Sequence, residues 1–108
     1  MKCLFVIIMV LVSLSTQAWD GTVSGVINKI DVTSGNNYGF RVYLENSPKL
    51  CSNTNAWAYI NESDSNYQTY VAALLAAKMS QSKVTLYTNW VNGDPNDYCK
   101  IGYVVIHS

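Results

Sequence analysis

Hydrophobic and polar positions alternate with a period of two along most of this chain, and the period changes once. From Thr22 to Val32 β-branched residues dominate, and Val26, Ile30 and Val32 fall on one face beside Asn28, which predicts a strand. Ser34-Gly35-Asn36-Asn37 is a turn cluster. Phe40, Val42 and Leu44 then alternate with Arg41, Tyr43 and Glu45, a second strand with one buried face that Asn46-Ser47-Pro48 ends. A short third strand is predicted from Ala56 to Ile60, carrying Trp57 and Tyr59. Beyond it Tyr67, Tyr70, Val71, Leu74, Leu75 and Lys78 recur at helical spacing and form one amphipathic stripe. Ser65, with Gln68 three residues later, supplies a capping box at its start. Ala72, Ala73, Ala76 and Ala77 raise helix propensity and leave a smooth flank that suits close approach of another element or subunit.

After Ser80-Gln81-Ser82 the period returns to two. Val84, Leu86, Thr88 and Trp90 alternate with Lys83, Thr85, Tyr87 and Asn89. Asn92-Gly93 and Asp94-Pro95 mark a loop over Val91 to Asp97. In the last strand Ile101, Tyr103 and Val105 face one way and Val104 and Ile106 the other, the pattern of a central strand covered on both sides. The order β-β-β-α-β-β is mainly β with one helix. It is the layout of an OB-fold, a five-stranded Greek-key barrel, with a small α+β sandwich as the alternative.

The first eighteen residues fall outside this pattern. A basic Met1-Lys2, an apolar run from Leu4 to Val12 and a small, polar stretch ending at Ala18 make the three parts of a secretory signal peptide. The apolar run is too short to span a bilayer, so no membrane insertion is expected. Cleavage after Ala18 leaves residues 19–108 as a single domain, secreted or periplasmic. Without Lys2, the seven basic and seven acidic side chains become six against seven, with no run of one sign. Nucleic acid is therefore excluded as a partner, because no basic footprint exists to displace counterions. Removal of the leader also takes away Cys3, and Cys51 and Cys99 remain as an even pair that predicts a disulfide in an oxidising compartment.

No catalytic apparatus is legible. His107, the single histidine, lies beside the end of the last strand, poorly placed as a base or metal ligand, and no metal or cofactor motif is present. Asp20, Asp31, Glu45, Glu62, Asp64, Asp94 and Asp97 are scattered over turns and strand ends. A glycosidase pair can be assembled from distant carboxylates, but so short a domain offers little room for a deep cleft. Binding is the expected role. Three Trp and eight Tyr exceed what so small a core can hold. Trp57 and Trp90 share strands with core positions and are expected inside, whereas Tyr38 and Tyr98 sit in or beside turns and are expected to face solvent as ligand contacts.

Trp19-Asp20-Gly21 at the mature start, Val23-Ser24-Gly25-Val26, Cys51-Ser52 followed by Trp57, the amphipathic helix and Val84 to Tyr87 together resemble the receptor-binding B subunits of subtilase-cytotoxin and pertussis-like toxins. The resemblance spans most of the mature chain through order and short matches. It implies an OB-fold glycan binder for sialylated sugars, a homo-oligomer of five copies and a separate A-type subunit. It makes Ser24 the serine that contacts the sugar. A second contact of that family, the latter tyrosine of a Tyr-Tyr pair, is replaced by Thr88 after Tyr87, and the family's second-strand cysteine is missing, which leaves Cys51 to pair with Cys99. Ser24, Thr88 and Asn89 are then the expected partners for sugar hydroxyls, and Tyr38, Tyr87 and Tyr98 the stacking groups. The rival expectation is a small structural or inhibitory protein with no small-molecule site.

Overall fold

The computed structural model describes residues 19–51 and 56–108. The proposed leader with its cleavage point after Ala18, and Ser52 of the Cys51-Ser52 match, lie outside the described residues. The observed elements are β1 (Gly21–Val32), β2 (Phe40–Leu44), β3 (Trp57–Ile60), α1 (Tyr67–Ser80), β4 (Lys83–Trp90) and β5 (Cys99–Ile106), with a 3-10 turn at Val91–Gly93 before the last strand. This is the predicted order. Among the described residues one five-stranded sheet forms, and its pairings close on themselves as β1-β2-β3-β5-β4. All pairs are antiparallel except β3 with β5, which meet in parallel over Ala58↔Cys99 and Tyr59↔Lys100.

The inward face is apolar because the strands alternate. Phe40, Val42 and Leu44 of β2, Ala58 and Ile60 of β3, Val84 and Leu86 of β4, and Cys99 and Ile101 of β5 share one buried cluster. Two strands depart from the simple alternation. In β1 the register slips between Ile27 and Lys29, so Asn28 is an extra residue that reverses the facing of everything after it. Ile27 is therefore the buried residue before the slip and Ile30 packs on the core after it. The expected face of Val26, Ile30 and Val32 is corrected accordingly. Val32 is 72 % exposed, at the end of β1 that β4 does not reach. In β5 the slip lies opposite Tyr87 and Thr88, where Gly102 is the extra residue. Ile101 points in, Tyr103 out and Val104 back toward the core, so β5 is not a strand covered on both sides. Trp57 is likewise half-buried on the outer wall, while Trp90 packs against the core and donates its indole N–H to the Cys51 carbonyl at 2.7 Å.

The helix enters the same cluster through Leu74 and Ala77, with Tyr67, Tyr70 and Val71 packed against it. Leu75, expected in the stripe, is exposed, and the small Ala77 takes the inner place because it lets the helix backbone approach the sheet. The expected capping box is absent. The N-cap is Asn66 in a left-handed conformation (φ 66°), and it makes no side-chain cap bond. Ser65→Ala is accordingly expected to shift stability by less than about 0.5 kcal/mol in urea denaturation, against about 1 kcal/mol for a true cap. The predicted disulfide is present: Cys51 and Cys99 are bonded, both fully buried, with Cα atoms 5.8 Å apart. Among the described residues, no helix is long and apolar enough to cross a membrane.

Candidate functional site

Antiparallel registration brings the outward residues of β1, β4 and β5 into rows. Thr22 pairs with Tyr87 and Tyr87 with Tyr103; two residues along each strand, Ser24 pairs with Thr85 and Thr85 with Val105. The rows lie about 7 Å apart, the rise of two strand residues. The first row is aromatic. Tyr87 and Tyr103 have ring centroids 4.7 Å apart, and Trp19 leans over both, at 5.8 Å from Tyr87 and stacked at 6.1 Å on Tyr103. The extra residue Gly102 makes the place for that indole, since a side chain there would run into the Trp19 ring. Behind it, Tyr70 of the helix donates its hydroxyl to the Gly102 carbonyl at 2.7 Å. Tyr103 is 50 % exposed, so the plate is open to solvent.

The second row is polar. Ser24 Oγ lies 2.6 Å from Thr85 Oγ1, and Thr85 Oγ1 lies 2.8 Å from His107 Nε2. His107 reaches this place because its backbone N–H bonds the Lys83 carbonyl at 2.9 Å and so extends the pairing of β5 with β4. Ser24 and His107 are exposed and Thr85 is buried between them. An aromatic plate beside a line of hydroxyl and imidazole groups, set on and beside paired strands, can stack an apolar ring face and hydrogen-bond its substituents.

The expected site residues divide between locations. Ser24 and Tyr87 belong to this wall. Thr88 does not: it points inward, is fully buried, and gives its hydroxyl to the Leu50 carbonyl with the Gly21 carbonyl 3.3 Å away. Asn89 is half-buried and accepts the Asp20 N–H through Oδ1 at 3.2 Å. Thr85, His107, Tyr103 and Trp19 are wall residues that the sequence did not mark for binding. The pairing register would have marked Thr85, which stands opposite Ser24.

Tyr38 and Tyr98 come together on another wall, that of β2 and β3. Their ring centroids are 4.6 Å apart, Tyr38 meets Tyr59 at 4.8 Å, and Tyr98 meets Trp57 at 5.0 Å. Arg41 lies over Trp57 at 4.8 Å, and Lys29 over Tyr43 at 4.4 Å. Tyr38 itself holds a left-handed backbone (φ 53°), rare for a bulky residue. Both its backbone groups are pinned there, the N–H by Asn61 Oδ1 at 2.7 Å and the carbonyl by Arg41 Nε at 2.8 Å. Burial, with Asp64 next in effect, pushes the Tyr59 phenol up to about 12, so it remains a neutral member of the cluster. These rings cover one another and leave Tyr98 as the main solvent-facing surface.

Asp64, beside this cluster, is paired with Lys100 at 2.9 Å and accepts the Asn61 N–H at 2.7 Å. A shallow cavity of about 420 Å³ opens along Glu62, Asp64, Asn66, Tyr67, Gln68 and Thr69 at the start of the helix. Among the described residues, no three His, Cys, Asp or Glu side chains converge to hold a metal ion. In comparisons with known proteins, no family model matches the chain, and no curated protein or solved structure is significantly similar to it.

Proposed function

We propose that the protein is an exported, non-catalytic binding module of the OB-fold type that recognises carbohydrate on the β1–β4–β5 wall. The observation that carries this reading is the adjacency of the Trp19–Tyr87–Tyr103 plate to the Ser24–Thr85–His107 row. Tyr and Trp present an apolar face with polar edges, the combination that a pyranose complements with its C–H face and its hydroxyls. A near-neutral chain with uncharged polar groups in the site suits such a ligand better than a polyanion. Ser24 is also the residue to which the resemblance to toxin B subunits assigns sugar contact.

Export rests on the leader pattern, and the buried disulfide supports it, because such bonds persist in oxidising compartments. A shallow wall of this kind binds one sugar weakly, and a ring of copies, five in the toxin-like case, would multiply it without new contacts. Leu75 and Met79, exposed on the outer side of the helix, are apolar surface that self-association, or a separate A-type subunit, would cover.

Residues 19–108 applied to a printed glycan array are expected to retain a defined set of oligosaccharides. Ser24→Phe should abolish retention by filling the polar row. Tyr103→Ala should weaken it about fivefold, the equivalent of about 1 kcal/mol of ring contact. An array that stays empty for the wild type at high valency removes the reading and favours a structural or inhibitory protein.

A further inference from the structure

The Ser24–Thr85–His107 row has one property beyond its place in the proposed sugar wall. Thr85 has one hydroxyl hydrogen and stands between two partners, Ser24 Oγ at 2.6 Å and His107 Nε2 at 2.8 Å. It can donate to one of them at a time, so the directions of the two bonds are coupled. If Nε2 carries no hydrogen, Thr85 must donate to it, and Ser24 must spend its own hydrogen on Thr85. Ser24 then shows a ligand lone pairs alone. If Nε2 carries a hydrogen it donates to Thr85, Thr85 donates to Ser24, and the Ser24 hydrogen is released toward solvent.

We infer that His107 sets, through Thr85, whether Ser24 offers a hydrogen-bond donor to the ligand. Protonation of the imidazole removes the first arrangement altogether, because both ring nitrogens then carry hydrogen. Acid therefore frees the Thr85 hydrogen for Ser24, which is the acceptor within reach of that buried hydroxyl, and so favours Ser24 as a donor, whereas neutral pH permits either direction. His107 and Thr85 are positioning residues in this scheme, since Ser24 makes the contact.

The surroundings leave the relay to itself. On this wall β1 presents the uncharged Ser24 and Thr22, and β5 presents Val105. The charged residue bonded to His107 through the backbone is basic, Lys83 at the start of β4. No carboxylate pairs with His107 among the described residues. Thr85 is buried, so bulk water does not compete for its hydrogen bonds.

The link is testable on the free protein. In NMR spectra recorded as the pH is lowered until the His107 ring has taken up its proton, the Ser24 13Cβ resonance should move with the same midpoint as that ring. In Thr85→Val the ring should still titrate while Ser24 stays still. His107→Gln, which cannot gain charge, should leave Ser24 flat and keep the fold. A Ser24 signal that ignores His107 in the wild type, or follows it unchanged in Thr85→Val, overturns the inference. On the glycan array, acceptor-bearing oligosaccharides retained by the wild type should gain several-fold at the acid end, and lose that gain in Thr85→Val. Because Thr85→Val keeps the imidazolium charge, a gain that survives it is a through-space charge effect and counts against the relay. The inference rests on the sugar-wall reading for its ligand alone: an empty array sinks that reading, and the NMR titration decides the relay separately.

Discussion

Replacing both Cys51 and Cys99 with alanine is expected to cost about 4 kcal/mol of stability, measured as a lower urea midpoint with a steeper slope as the unlinked unfolded chain expands. The bridge spans 48 residues. In the chain-entropy account, a link of that span removes about 4 kcal/mol worth of freedom from the unfolded ensemble. So small a domain has little margin against such a loss. Both sulfurs are fully buried, so a dithiol reductant is expected to act on the native protein at the rate of its unfolding. A double variant that loses less than about 1 kcal/mol would mean that the reduced unfolded chain is already held compact.

Gly21→Ala is expected to cost about 3 kcal/mol, the upper range for overpacking. A Cβ at this buried position would strike the Leu50 carbonyl oxygen and lie 2.7 Å from Thr88 Oγ1 and 2.8 Å from the Cys51 Cα. Two of these neighbours are backbone and cannot rotate away. Moving Thr88 would also break its bond to the Leu50 carbonyl and leave a buried acceptor without its partner. Gly25→Ala is the control: its Cβ would meet Leu44 at 3.6 Å, an ordinary contact, and the change should stay within about 1 kcal/mol. Equal midpoints for the two variants, in oxidised protein, would contradict the account.

What could be read from the chain depended on how locally each feature is encoded. Phe40-Val42-Leu44 and Val84-Leu86 declare their facing by alternation alone, and both lie in the core. Thr88 shares the alternation of Val84 and Leu86 and lies inside with them. The resemblance drew it toward the ligand instead, and the pattern was the better guide. Asn28 and Gly102 show the opposite limit. An extra residue in one strand is defined by the register of its partner, which the strand itself does not carry, so Val26 falls on the face opposite Ile30, and Tyr103 on the face opposite Ile101. The helix start failed similarly: Ser65 and Gln68 have capping spacing, but Asn66 takes the turn. Ser24 and Tyr87 were legible as wall residues, whereas Thr85 and His107 join the site through cross-strand neighbours.

The seam between β3 and β5 has a consequence for how the chain comes together. It holds two paired positions, and one of them is Cys99. The antiparallel neighbours β1 with β2 and β4 with β5 are close in sequence and pair over longer stretches, so their contacts are entropically cheap to form early. The ring of pairings is therefore expected to close last where its backbone bonding is thinnest, and the Cys51–Cys99 bond sits at that point. Redox conditions around a nascent molecule, as much as its hydrophobic residues, are then expected to set when that last seam is secured.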